Sequence, residues 1–258
     1  MSKPFNWKVF FILWAAAILG VAATLPYQLR VRAAAGEVVT LGGFGLGVLV
    51  VAAIQFGLYT LIGLWLANRI GLGLPILEAA LRREPVADKL RAMLPISIGL
   101  GVAVALVILG LHYFVFTPLL APALGERAAN LGGVAGQPAW LGFLVSIYGA
   151  INEEILVRLL LMSLLAWLGH FISKTADGRP TPAVLWVANV LAAVVFGLGH
   201  LRAVALDLPM APLVVARTVL LNGIGAIVFG WLYMKRGLES AIVSHFSTDI
   251  VLHVPFGS

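Results

Sequence analysis

Gly149-Ala150-Ile151-Asn152-Glu153-Glu154-Ile155-Leu156-Val157-Arg158 is the stretch around which the chain is organised. Two adjacent carboxylates and a guanidinium sit in a run that is otherwise largely apolar from Ala139 to Leu168. A segment of that length and composition reads as a membrane helix carrying charge inside it. A charge near the bilayer centre costs roughly 2.5–3.5 kcal/mol on insertion scales, and such residues usually face a bundle interior and serve a function. Glu154 and Arg158 are four apart, so they share a helix face and pair in the order that suits the helix dipole. Glu153 points about 100° away from them at 3.6 residues per turn. The spacing therefore predicts one carboxylate neutralised by Arg158 and one left free.

Composition sets the class. Of 258 residues 61% are hydrophobic and only 11% charged, with a mean hydropathy of +1.03. A soluble domain carries about 25% charged residues, so the expectation is an all-α, polytopic membrane helix bundle forming a single membrane domain over 1–258. The net charge of +6 is not a nucleic-acid signal, because the Lys and Arg residues lie in short loops where they set membrane orientation. No cysteine is present, which excludes disulfides, thiolate nucleophiles and Cys-ligated metals.

Apolar spans are expected at about 7–25, 41–67, 96–116, 139–168, 183–198, 212–234 and 238–254. Seven helices is thus the expected count; an eighth, or a re-entrant segment between His200 and Pro212, is the alternative. The glycine-rich Gly42-Gly43-Phe44-Gly45-Leu46-Gly47 follows no strand, so it reads as close packing between membrane helices rather than a nucleotide loop. Residues 72–91 carry Leu74, Leu77 and Leu81 at helical spacing among charges, which predicts an amphipathic helix on the membrane surface. The Pro-, Gly- and Ala-rich 117–138 reads as a loop. With the N-terminus in the cytoplasm, 11 of the 15 loop Lys and Arg residues fall on the cytoplasmic side, leaving Arg30, Arg32, Arg127 and Arg202 opposite.

Chemistry is concentrated in 139–255, the expected catalytic core. Four places put ionisable groups inside apolar spans: Glu153/Glu154/Arg158, His200, His245 and Asp249. A carboxylate and an imidazole converging on a water are what general-base hydrolysis requires, and a second imidazole with a hydrogen-bonding neighbour can stabilise the oxyanion that forms. Taken alone, an intramembrane His is more often a satisfied interhelical hydrogen bond than a catalyst, and a pair such as Glu154–Arg158 more often a structural neutralisation; the joint pattern is what points to chemistry. Several intramembrane hydrolase designs are excluded: there is no H-E-x-x-H, no G-x-S-x-G, and only one aspartate within a span. Asn152, Asn189 and Asn222 are expected to hydrogen-bond between helices, Asn222 being the one nearest to joining the site. Arg217 is expected to snorkel or to pair with Asp207 and His112 to pack, while His253 lies eight after His245 on roughly the same face, near the end of the span.

The ordered motifs E-E-x-x-x-R (Glu153, Glu154, Arg158), F-x-x-x-H (Phe196, His200) and H-x-x-x-D/N (His245, Asp249) resemble those of the CAAX prenyl protease and bacteriocin-processing family, which includes the Ras-converting type of endopeptidase. The resemblance covers about 141–254. It implies a glutamate-dependent intramembrane endopeptidase acting on a peptide or membrane-protein substrate in the bilayer, with no cofactor and no nucleic acid. Glu153 would be the general base with His200, Glu154 would pair with Arg158, and His245 with Asp249 would stabilise the oxyanion. An ionised Asp249 donates no hydrogen bond, so it is either protonated or orients His245 instead. Two His and one Glu also suit catalytic Zn²⁺, which makes a zinc-dependent protease the alternative mechanism. A non-catalytic membrane scaffold or immunity protein, and a proton-coupled transporter, are the alternatives of a different class.

Overall fold

The computed structural model describes residues 4–34, 36–128, 138–205 and 208–255. Among them every extended element is a helix. Helix α1 spans Trp7–Ala34, α2 Leu46–Ile70, α3 Pro75–Leu81, α4 Ala87–Leu111 and α5 Thr117–Leu124. Helix α6 spans Ala139–Tyr148 and runs through two wider, π-helical turns (Gly149–Glu153 and Ile155–Met162) into α7, Ser163–Gly169. Helices α8 (Pro182–Gly199), α9 (Leu201–Val204), α10 (Pro212–Arg236) and α11 (Leu238–His253) complete the chain.

Five helical stretches are long and apolar enough to cross a bilayer: Trp7–Ala34, Leu41–Ile70, Ala87–Ala128, Pro182–Val204 and Pro212–Arg236. The other two expected spans are also helical. One carries Glu153, Glu154 and Arg158, and the other, α11, is only 16 residues long. The outside of the bundle is covered with large apolar side chains such as Phe11, Leu19, Ile54, Leu106 and Phe114, a surface that hydrocarbon solvates and water does not.

Helix α1 packs on α2 and α6, α4 on α11, α8 on α10, and α2 on Ile155–Met162. Small residues let the backbones approach. A Cβ on Gly101 would strike the Ser244 carbonyl, and one on Gly63 would stand 3.0 Å from that of Leu159. Polar side chains tie the helices further. Asn152 donates to Ala17 C=O (2.9 Å) and Asn189 to Ile227 C=O (3.0 Å), both between helices as expected. Asn222 instead donates to Thr218 C=O of its own helix. Its short amide reaches back one turn, where a carbonyl is always at hand.

Several sequence expectations change. The amphipathic helix expected over 72–91 is shorter. Helix α3 ends at Leu81, Arg83 takes a left-handed conformation (φ 59°), and Ala87 onward belongs to α4. In that turn the Arg82 guanidinium, 2.6 Å from Glu84, holds the Glu84 carboxyl below the usual carboxylate range. Thr117–Leu124, expected as loop, continues as helix with Pro118 in its first turn, where a missing N–H costs nothing; residues 129–137 lie outside the described residues. Gly42 and Gly47 do not mediate helix packing, since no atom lies within 4 Å of where a Cβ would stand on either. Arg217 hydrogen-bonds to buried His112 (3.2 Å); its expected partner Asp207 lies outside the described residues.

Candidate active site

The motif helix widens where its charges lie. Wider turns of this kind are uncommon and occur mostly at functional sites. Here Glu154 and Arg158 still meet, at 3.1 Å, with side chains 0% and 1% exposed. Arg158 also donates to Ala226 C=O at 2.8 Å, and its guanidinium lies over the rings of Phe196 (5.3 Å) and Phe229 (5.5 Å). A buried cation is thus held by one carboxylate, one carbonyl and two aromatic faces.

His245 sits at the centre. Its Nδ1–H donates to Glu154 Oε1 at 2.8 Å, the same oxygen that holds Arg158. That hydrogen bond fixes the ring orientation and turns Nε2 toward a gap. Across the gap lie Glu153 Oε2 at 3.8 Å and Asp249 Oδ1 at 3.6 Å. Both separations exceed a direct hydrogen bond and are the size that a bridging water or a substrate oxygen fills. Phe229 stacks on the imidazole at 4.6 Å, 19° from parallel. The approach of helices here is close, since a Cβ on Gly149 would fall on Asp249 Oδ2. Glycine is what allows the motif helix and α11 to bring Glu153, His245 and Asp249 together.

The expectation of one neutralised and one free carboxylate fits the burial: Glu154 is sealed in, whereas the Glu153 side chain is 24% exposed. The expected 100° divergence does not keep them apart, because both reach His245. His200, expected to work with Glu153, is held by its own helix. Its Nδ1–H donates to Phe196 C=O (2.9 Å) and its ring packs edge-on to Phe196 at 4.5 Å. Among the described residues no carboxylate lies within 4.0 Å of it. Phe196 in turn lies 6.1 Å from the His245 ring, so one phenyl bridges the two imidazoles. His253, on roughly the same face as His245 near the end of α11, stands 3.9 Å from Asp249.

Phe229 and the Ala226 carbonyl were not anticipated as site groups. The signal for them was weak: they precede Gly230-Trp231 with no charge of their own. Among the described residues no three His, Asp or Glu side chains converge as metal ligands. Glu154 Oε1 is committed to Arg158 and His245, and the open Nε2 stands 3.8 Å from Glu153 Oε2 and 3.6 Å from Asp249 Oδ1.

A family model described as type II CAAX prenyl endopeptidase Rce1-like matches residues 135–251. This segment belongs to the Rce1-like family. The match covers the motif helix, α8, α10 and nearly all of α11, which carry the six candidate residues Glu153, Glu154, Arg158, His200, His245 and Asp249. The match to a family of endopeptidases over this segment, together with the apolar helices, fits a membrane-embedded peptide hydrolase. No curated protein and no solved structure is significantly similar to the chain.

Proposed function

We propose that this protein is an intramembrane endopeptidase in which Glu153 activates a water molecule, built on seven membrane-crossing helices with the N-terminus in the cytoplasm. The observation that carries the reading is the gap bounded by Glu153 Oε2, His245 Nε2 and Asp249 Oδ1, with Glu153 alone among the candidate residues lining a groove of about 840 Å³. A water in the gap gives its proton to Glu153 as its oxygen bonds to the scissile carbonyl carbon. The resulting oxyanion is met by the His245 imidazolium, whose Nδ1–H is held by Glu154 and whose Nε2–H points into the gap. Glu153 then returns the proton to the amide nitrogen, the C–N bond breaks, and a new carboxyl and a new amine leave. Arg158 and Glu154 take no part in proton transfer; they hold His245 in place.

Asp249, 3.6 Å from His245 Nε2, serves here as the third wall of the gap, accepting from the water held there rather than donating to the oxyanion. Asp249→Asn is therefore expected to change turnover by no more than about tenfold, roughly one hydrogen bond's worth of free energy. Asp249→Leu, which removes every polar contact, should cost on the order of 10². Purified protein in lipid nanodiscs, given a library of internally quenched peptides, checks both.

The same assay tests the metal-free reading. Cleavage should survive dialysis against EDTA and 1,10-phenanthroline undiminished. Loss of cleavage that added Zn²⁺ restores would contradict the proposal in favour of the zinc-dependent mechanism.

A further inference from the structure

Away from the candidate active site, the ends of α2, α4 and α10 enclose a second hollow, of about 450 Å³. Sites for small ligands commonly measure about 300–1,000 Å³. Hydrogen bonds hold its walls together. Gly71 leaves α2 in a left-handed conformation (φ 76°), and the turn that follows is pinned to the head of α11. There Leu238 N–H donates to Gly73 C=O (3.0 Å), and the Ile76 and Leu77 amides donate to Glu239 Oε1 (both 2.9 Å). On the other side Arg236 donates to Ala92 C=O (3.3 Å) and so ties α10 to α4.

The hollow is basic. Lys89 of α4 and Lys235 and Arg236 of α10 line it, against one carboxylate, Glu78. The cations have charge to spare. Lys89 stands 3.8 Å from Glu84, which Arg82 already holds at 2.6 Å, and Lys235 is exposed. Glu78 is itself faced by Arg82 at 3.7 Å. The depth is that of lipid headgroups. Within two helical turns of Gly71, the rings of Trp65 and Trp167 lie 5.7 Å apart and Arg69 covers Trp65 at 4.7 Å; tryptophans gather at the membrane–water interface. From Lys89, the same face of α4 runs through Ala92 to exposed Ile96. A polar hollow at the interface thus continues into an apolar face in the hydrocarbon.

We propose that this hollow binds the headgroup of an anionic phospholipid, with the phosphodiester among Lys89, Lys235 and Arg236 and an acyl chain along Ala92 and Ile96. Arg236 offers a planar fork to the phosphate oxygens, and the two lysines offer point charges. Basic pockets between membrane helices hold anionic headgroups in this way. A soluble phosphate satisfies the same cations but leaves the apolar face of α4 unused. A lipid so held joins α4 to α10 at the point where α11 begins. The site is independent of the peptidase reading, since none of the candidate catalytic residues lines the hollow.

Native mass spectrometry of the full chain in mild detergent, titrated with short-chain phosphatidylglycerol, tests this without any turnover. The parent should retain the lipid, and Lys89→Gln/Lys235→Gln/Arg236→Gln should bind it about 10²-fold more weakly, at about fivefold per basic side chain. Lys8→Gln/Arg91→Gln/Lys174→Gln, the same change of charge outside the hollow, should bind like the parent. Phosphatidylcholine with the same tails should bind the parent far more weakly, and excess inorganic phosphate should not displace phosphatidylglycerol. Equal binding by the hollow variant and the parent, or an equal loss in the control variant, overturns the site. Phosphatidylcholine that binds as well as phosphatidylglycerol overturns the recognition of charge. Displacement by inorganic phosphate overturns the lipid in favour of a soluble phosphate. These last two comparisons use the parent chain alone, so they decide the matter even where the hollow variant fails to fold.

Discussion

Glu153→Gln should lower turnover by about 10²–10⁴-fold, the usual worth of a positioned general base, while the protein keeps its fold. Glutamine matches the carboxylate in shape but takes up no proton. Among the described residues Glu153 makes no side-chain hydrogen bond; His245 Nε2 stands 3.8 Å away, and the Glu153 side chain opens to the groove. Replacing it therefore removes chemistry without leaving a buried partner unsatisfied. Thermal melting in detergent should match the parent within experimental error, and the peptide assay should show the loss. Retained cleavage would remove Glu153 from the mechanism.

Arg158→Met should have the opposite character, a loss of stability first. Deleting one member of a buried ion pair leaves the other charge uncompensated, at a cost of about 3–5 kcal/mol. Here Glu154 would remain fully buried with only His245 beside it, and the Ala226 carbonyl would lose its donor. The double variant Glu154→Gln/Arg158→Met should recover part of the loss, since it removes both charges. Arg158→Lys should behave more like the methionine variant than like the parent. An ammonium lacks the planar fork that spans Glu154 and Ala226 together and stacks on Phe196 and Phe229. Chemical denaturation in mixed micelles measures all three. A stable, fully folded Arg158→Met would mean that the pair is not what holds the motif helix.

Much of this was readable before any coordinates. Glu154 and Arg158 pair because four residues is one helical turn, and that relation survives the wider turns of the motif helix. The grouping of Glu153, His245 and Asp249 was signalled by the cost of leaving three such residues in hydrocarbon without a common purpose. The place of His200 was not. Its distance from Glu153 depends on how α8 leans against the motif helix, which no local pattern encodes, and the intervening Phe196 ring is what links it to His245. The groove was also invisible, because its outer walls are α1 and α2. Their lining residues, from Thr24 and Gln28 to Gln55, are ordinary membrane-helix residues whose meaning comes only from the helices they face. Gly42 and Gly47 illustrate the limit: glycine in an apolar helix reads equally well as a close contact or as an opening, and here open space adjoins both.

The same packing sets the geometry of the site. Gly149 admits Asp249, Gly63 admits Leu159, and Asn152 anchors the motif helix to α1. Removing any of these would move Glu153 against His245. A displacement of 1 Å at a catalytic group can cost on the order of 10²-fold in rate.

The central claim is that water, activated by Glu153, attacks the peptide bond directly. A single turnover in H₂¹⁸O, with enzyme in excess over a cleavable peptide, tests it most directly by mass spectrometry of the new C-terminus. Direct attack predicts one ¹⁸O atom in the new carboxyl group of essentially every product molecule. Product carrying only ¹⁶O in that first turnover would mean that the oxygen came from a protein carboxylate acting as nucleophile, and would contradict the account.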